Sequence, residues 1–268
     1  MGEQLAGGNM NAVERIGDTV HRAAGPWTPT VHRLLEHVRA AGVEWIPEPL
    51  GTDECGREVL SYLAGEVPLY PLPDWVWADS VLTDSASRLR IWHDATEDFP
   101  RDDAVWQLPS HGADEVICHN DFAPHNLVFS GGEIIGVIDF DTASPGNRLW
   151  DLAYLATRIV PLDRASEGPD AAGTGEAASA APDAAPIGLP GGAAMRDERV
   201  RRIHMLLEAY GSGEPVGALI DTAIERLEDL AVFSERKAVE LGKPELDEHA
   251  AGYRLDAASL RRQFADTV

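Results

Sequence analysis

Lysine is almost missing from this chain: of 268 residues only Lys237 and Lys243 are lysines, and both lie far downstream. A site in the first two hundred residues that needs a cation must therefore take arginine, whose planar fork is not equivalent to an ammonium group. Cysteine is equally scarce. Cys55 and Cys118 stand alone, which excludes a disulfide framework and reads as two reduced, partly buried thiols in a cytoplasmic protein. No apolar run approaches the ~18 residues of a membrane helix, so no membrane partner is expected. The start, "MGEQLAGGNMNAVERIG", has no basic stretch followed by an apolar one and so gives no expectation of a secretory signal. Ala6 stands where a myristoylation motif wants Ser or Thr. Positive charge is short overall, with 22 Lys and Arg against 45 Asp and Glu for a net charge of -23. That balance repels phosphate backbones and excludes a general nucleic-acid binder. It attracts cationic small molecules, or it only aids solubility; charge alone does not separate the two.

What is present suffices for a buried core, at 44% hydrophobic residues, and the length suggests about two domains. Residues 12–22 read as a β-hairpin turning at Gly17-Asp18. "TPTVHRLLEHVRAAG" reads as a helix with Thr28 as N-cap, Pro29 at the first helical position, an apolar stripe of Val31, Leu34, Leu35 and Val38, and Gly42 as its stop. "GREVLSYLAGE" reads as a strand ended by Gly65. A long helix is expected to start near Asp74, and three more near 197–211, 216–241 and 245–266. Between them, residues 163–195 hold the low-complexity run "EGPDAAGTGEAASAAPDAAPIGLPGGAA", which has too little apolar surface to offset its ordering entropy and is expected to be a disordered loop.

The chemistry concentrates in "VICHNDFAPHNLVFSGGEIIGVIDFDTASPGNRLWDLA", residues 116–153. Leu127–Ser130 and Glu133–Asp139 read as strands joined by Gly131-Gly132. A two-residue loop sets Asn126 opposite Val137, and Asp139, two residues further, then shares a face with it. Diagonal neighbours of this kind lie ~7–8 Å apart, a gap that a hard cation with bound phosphate oxygens would fit. Asp121, in the loop entering the hairpin, is placed to accept a proton from a substrate hydroxyl. The spacing His119-x-Asp121-x-x-x-x-Asn126 is the kinase catalytic-loop pattern, with Asp139 where kinases carry the metal-binding Asp of D-F-G.

These residues resemble the aminoglycoside phosphotransferase family, small-molecule kinases with a protein-kinase-like fold. "HNDFAPHNLVF" resembles its catalytic loop, and "GVIDFDTASPGNRLWDLA" its metal-binding segment and following helix. "GREVLSYLAGE" and "RLRIWHDAT" fit more loosely. The resemblance implies an α+β, bilobal chain: a small β-rich nucleotide-binding lobe over 1–66 and a larger helical catalytic and substrate lobe over 67–268. It implies a phosphotransferase that moves the γ-phosphate of ATP or GTP to a hydroxyl, with Mg2+ as cofactor. Asp121 would be the base, and His119 is counted with it in the catalytic set. Asn126 and Asp139 would hold magnesium, Asp151 would brace the loop with His119, and His125 would orient or pack.

The first lobe departs from the family's pattern. "LAGGNMNAV" forms a loop over the phosphates, since Gly7 and Gly8 allow close backbone approach, or else a plain turn. Ser61 and Leu63 would offer backbone hydrogen bonds to the base. The family's usual third-strand lysine is absent, and Arg22 occupies its place at the end of "DTVHR", paired with Val13. Arg22 is then either the phosphate clamp or a solvated strand-end residue. For the glutamate that normally partners the lysine, Glu36 is the nearest choice, although it lies opposite the helix's apolar stripe. The leading expectation is a kinase of a small hydroxylated molecule, with an aminoglycoside-like cation as a plausible acceptor. Its rival is a catalytically weak, nucleotide-binding regulatory pseudokinase, motivated by the missing lysine.

Overall fold

A computed structural model describes residues 3–4, 13–162 and 193–265. The expected loop at 163–195 falls outside the described residues except for 193–195, which open a helix, and Gly7 and Gly8 fall outside them altogether. Chain packing divides into two units, Met1–Leu69 with Arg88–Asp151 and Tyr70–Ser87 with Leu152–Val268.

The first unit carries a five-stranded sheet. Its strands are β1 (Glu3–Gln4), β2 (Glu14–Ile16), β3 (Thr19–Arg22), β4 (Pro49–Thr52) and β5 (Glu58–Ser61), in spatial order β1-β2-β3-β5-β4. The β2–β3 hairpin turns at Gly17-Asp18 as expected, with Gly17 in the left-handed region at φ +62. Strand β4 was not foreseen: "PLGT" is short and three of its four residues are exposed, so it lacks the alternation that marks a strand. The strand expected through Gly65 stops at Ser61. Further on, Glu66 exchanges backbone hydrogen bonds with Phe129 at 2.8 and 2.7 Å.

Helix α1 (Thr28–Ala40) buries Val31, Leu34, Leu35 and Val38, the expected stripe, and stops before Gly42 at φ +92. The cap lies one residue earlier than expected. Trp27 is the N-cap, and the Thr28 hydroxyl turns back to accept the Gly25 N–H at 2.9 Å. The long helix expected from Asp74 is interrupted. A single 3-10 turn over Asp74–Trp77 gives way to an extended Ala78, and α2 (Asp79–Asp94) starts afresh. Asp79 there accepts from both Arg201 and Arg202 at 2.9 Å.

Strand β6 (Val116–Cys118) leads to the catalytic-loop sequence, and β7 (Leu127–Ser130) and β8 (Glu133–Val137) form the hairpin. Gly131 and Gly132 both have positive φ, +61 and +84, as a two-residue turn between twisted strands requires. The register follows the expectation only near the turn, where Ser130 faces Glu133 and Phe129 faces Ile134. A bulge then leaves Ile135 over, and Leu127 faces Val137. Asn126 thus stands opposite Ile138, whose N–H it accepts at 2.9 Å, rather than opposite Val137. Strand β9 (Ser144–Gly146) pairs with β6, and α3 (Arg148–Ile159) follows.

In the second unit α4 (Ala193–Tyr210), α5 (Val216–Leu241) and α6 (Glu245–Gln263) stand where three helices were expected. Helices α5 and α6 pack together, and Gly242 at φ +64 closes α5. No helix among the described residues is long and apolar enough to cross a membrane. Neither cysteine forms a disulfide; Cys118 is buried as expected, whereas Cys55 is exposed rather than partly buried.

Gly65 fixes how closely the linker rides on the hairpin. A Cβ there would meet the Phe129 carbonyl at 2.6 Å and Val128 at 2.5 Å. Gly65→Ala should therefore lower stability by about 1–3 kcal/mol, the usual cost of overpacking. Gly213→Ala, where no atom lies within 4 Å, serves as the control. Thermal unfolding of both variants checks this; equal melting temperatures would show that the linker yields.

Candidate active site

The residues that match the kinase catalytic-loop pattern are held by one buried carboxylate. Asp151, in the first turn of α3, accepts the backbone N–H of His119 at 2.6 Å and of Asn120 at 2.8 Å, and faces His93 Nε2 at 3.2 Å. Asp151 and His93 are both fully buried. Burial works against the Asp151 charge, but hydrogen bonds from His93 and the loop backbone outweigh it and hold the carboxyl below its ordinary range. Burial also depresses His93, so the pair reads as a carboxylate accepting from a neutral imidazole. Cys118 lies in the same cluster, and these three side chains offer ligand atoms within 4.8 Å of one another. Asp151 already spends both oxygens on N–H donors and Cys118 donates to Asn147 O at 3.3 Å, so the cluster is a brace rather than a metal centre.

The brace extends to the segment after β8. His119 Nδ1 accepts the Asp121 N–H at 3.2 Å, which assigns its proton to Nε2, and Nε2 donates to Ile138 O at 3.1 Å. The Thr142 hydroxyl donates to His119 O at 2.9 Å, and Asn120 Nδ2 donates to Thr142 O and Ser144 Oγ, both at 2.8 Å. Asn120 and Asp139 both take left-handed backbone conformations, at φ +64 and +67. Asn and Asp tolerate this region better than other non-glycine residues. Asp139 is therefore turned by its own backbone, beyond the end of β8. The strand-alternation argument for its direction does not apply, because the bulge has already reversed the parity.

Asp121 is oriented from within its loop. Asn126, in a 3-10 turn over Pro124–Asn126, donates Nδ2 to both Asp121 O and Asp121 Oδ2 at 2.8 Å, and His125 Nε2 lies 3.3 Å from the same Oδ2. With its amide nitrogen so used, Asn126 has its carbonyl oxygen left to offer. Asp121 retains 28% side-chain exposure and Asp139 48%, so both carboxylates are accessible.

Arg22 joins the sheet to this region. Its Nε donates to Glu58 Oε2 at 2.5 Å, NH1 to Asp139 Oδ1 at 2.7 Å and NH2 to Asp141 Oδ1 at 2.5 Å. Burial opposes the guanidinium charge, but Asp141, Asp139 and Glu58 together hold its pKa above the ordinary value. Three carboxylates around one cation leave a deficit of positive charge. Asp141 bears it: burial, with Asp139 and Glu58 nearby, pushes its carboxyl up to about 6 against the pull of Arg22 and Trp27.

The structure thus brings together His119, Asp121, Asn126, Asp139, Asp151 and Arg22, all in the first unit. Arg22 is no solvated strand end, at 11% exposure. Ser61 ends β5 with its N–H already given to Glu48 O at 2.9 Å and its hydroxyl accepting Glu48 N–H at 2.8 Å. Its N–H is therefore not available to a base. Leu63 lies against Gly136, where a Cβ would meet its Cδ1 at 2.5 Å. Glu36 is exposed and is not among Arg22's partners. Glu58 and His32 went unnoticed in the sequence, and Asp141 was given no role there. Asp141 was visible in "IDFD"; Glu58 depends on the β3–β5 register, for which no local signal exists.

The sequence model of the phosphotransferase enzyme family matches residues 67–186. The trifolitoxin immunity protein of Rhizobium leguminosarum bv. trifolii is 32% identical over 231 residues, covering 82% of this chain and 78% of that protein. Among solved structures, a choline/ethanolamine kinase family protein from Mesorhizobium loti aligns with a TM-score of 0.63 at 17% identity, covering 99% of this chain and 91% of that one. Plasmodium vivax ethanolamine kinase aligns at 0.59 with 12% identity, covering 100% and 83%. The gentamicin complex of APH(2")-IIa aligns at 0.57 with 15% identity, covering 97% and 93%. At these identities the likenesses show the fold, the protein-kinase-like α+β arrangement.

Asp151→Asn should leave the His119 or Asn120 N–H facing an amide donor instead of an acceptor. One buried unsatisfied N–H costs about 1–3 kcal/mol. A urea titration should show that loss, with a circular-dichroism spectrum like that of the parent; an unchanged midpoint would remove Asp151 as the brace.

Proposed function

The chain belongs to the phosphotransferase enzyme family, and on that premise we propose that it moves the γ-phosphate of ATP or GTP to a hydroxyl of a small molecule. The observation that carries this reading is Asp121, an accessible carboxylate oriented by Asn126 and His119 on a loop laced to the segment bearing Asp139 and, through it, to Arg22. In the reaction the acceptor oxygen bonds to the γ-phosphorus, the bond to the leaving diphosphate breaks, and the acceptor proton passes to Asp121. The Asn126 and His125 contacts to Oδ2 orient the carboxylate that receives that proton. Arg22 is the cation for the phosphate oxygens, where other family members use lysine. Most of the rate gain comes from positioning and charge neutralisation.

The donor set fits magnesium: an accessible carboxylate at Asp139 and the amide oxygen of Asn126 are hard oxygen ligands, few in number. When bound there, magnesium would supply charge neutralisation of the phosphate oxygens. Residues 1–66 would form the nucleotide lobe, with Gly7 and Gly8 over the phosphates and Leu63 near the base. Residues 67–268 would supply the acceptor pocket. The acidity of the chain is compatible with a cationic acceptor of the aminoglycoside kind. The relative's name, an immunity protein, favours a toxic compound. A regulatory, non-catalytic reading loses its motive, since a cation stands beside Asp139 without a lysine.

Turnover with a panel of amines, aminoglycosides and sugars tests the reading; nucleotide binding without turnover on any of them would count against it. Asp121→Asn should cut phosphoryl transfer roughly 10²–10⁴-fold, the range for a positioned general base, while the protein stays folded. Asp139→Ala should abolish the tightening of nucleotide binding by magnesium, measured by calorimetry with and without the metal. Retained magnesium dependence would place the metal elsewhere.

A further inference from the structure

Arg22 can act as a clamp only if something holds its flexible side chain in one direction. The family's usual solution, a glutamate on the helix after the third strand, is not used: Glu36 of α1 is exposed. We propose that Glu58 of β5, backed by His32 of α1, is the anchor that positions Arg22 for the nucleotide phosphates. This rests on the phosphotransfer reading above.

The geometry is specific. Arg22 and Glu58 are direct partners across the β3–β5 ladder, where facing side chains stand ~4.5–5.5 Å apart at Cβ. Glu58 is fully buried, and a buried carboxylate needs both oxygens satisfied. Oε2 takes Arg22 Nε at 2.5 Å and Oε1 faces His32 Nε2 at 2.9 Å. Burial resists the charge, but His32 and Arg22 hold the carboxyl below its ordinary range. The two donors come from different elements, so the plane of the carboxylate is set.

A set carboxylate sets the guanidinium. With Nε bound to the sheet, the NH1–NH2 edge of the fork is turned to Asp139 and Asp141. That is the side on which the phosphate oxygens would lie. The anchor sits one strand away within the same sheet, so the clamp is assembled by strand register and is present before any nucleotide arrives. Helix α1 contributes by hydrogen-bonding the anchor through His32 rather than by pairing with the cation itself. Without Glu58 the guanidinium keeps only Asp139 and Asp141 as partners, and nothing in the sheet fixes the direction of its fork.

Isothermal titration with magnesium and ATP, magnesium and GTP, and adenosine or guanosine as phosphate-free probes tests this on the parent, Glu58→Gln, Arg22→Ala and the double variant. Glu58→Gln should weaken binding of the triphosphate that the parent prefers by about tenfold, the scale of one charge-assisted hydrogen bond, and leave the nucleoside unchanged. The double variant should bind no more weakly than Arg22→Ala alone, because Glu58 acts through Arg22. Additive losses, or parental triphosphate affinity in a folded Glu58→Gln protein, would overturn the proposal. Should Glu58→Gln fail to fold, His32→Ala carries the test, with a smaller loss for the triphosphate only; a loss shared equally by the nucleoside would mark a merely structural pair. A parent that binds neither triphosphate overturns this inference and the phosphotransfer reading together, whereas a parent that binds one while the variants match it overturns only this inference.

Discussion

A carboxylate with no access to water, Asp151, takes the two consecutive backbone N–H groups of His119 and Asn120, and the rest of the candidate site follows from that contact. Two adjacent N–H groups can point at one carboxylate only if the backbone between them curls, and Asn120 accordingly sits in the left-handed region. The curl presents His119 to Ile138 on one side and starts the turn that carries Asp121 on the other. The loop is then tied at three further points to Thr142 and Ser144. Asp121 and Asp139, proposed as proton acceptor and metal ligand, thus belong to one hydrogen-bonded frame, which is how a site holds its geometry without spending substrate binding on it.

A second constraint is charge. A chain with a net charge of -23 has assembled Glu58, Asp139 and Asp141 around a single guanidinium. Arginine suits the position because it has donors on three nitrogens in a fixed plane and so meets three carboxylates at once; lysine's ammonium cannot present that edge. Burial first, and then the nearby Asp139 and Glu58, raise the Asp141 carboxyl against the pull of Arg22. The scarcity of lysine therefore need not mean a lost activity. It fits a different construction of the cationic corner, taken from the register of two neighbouring strands.

Several features were legible before any coordinates. The apolar stripe of α1, the Gly17-Asp18 and Gly131-Gly132 turns and three late helices follow from periodicity and turn chemistry, which are local properties. So does the spacing of His119, Asp121 and Asn126, since five residues of chain can bring the last back to the second. Less legible were elements whose existence depends on partners. Strand β4 has no pattern of its own, the break at Ala78 has no local cause in the sequence, and the bulge at Ile135 shifts a register that counting from the turn had set.

The sequence by itself singled out the groups proposed for the chemistry: Asp121 with Asn126 at fixed spacing, Asp139 after the hairpin, and an arginine where a lysine was due. Each was readable because neighbours in sequence constrain one another over a few covalent bonds. Only the tertiary structure decided how they are aimed. Asp139 reaches its place by a left-handed backbone rather than by strand alternation, Asp151 becomes a brace from 31 and 32 residues away, and Glu58 replaces Glu36 as the partner of Arg22 across 36 residues of chain. Those choices are made by strand register and burial. They depend on which distant segments satisfy a buried charge, and no local pattern in the chain records that.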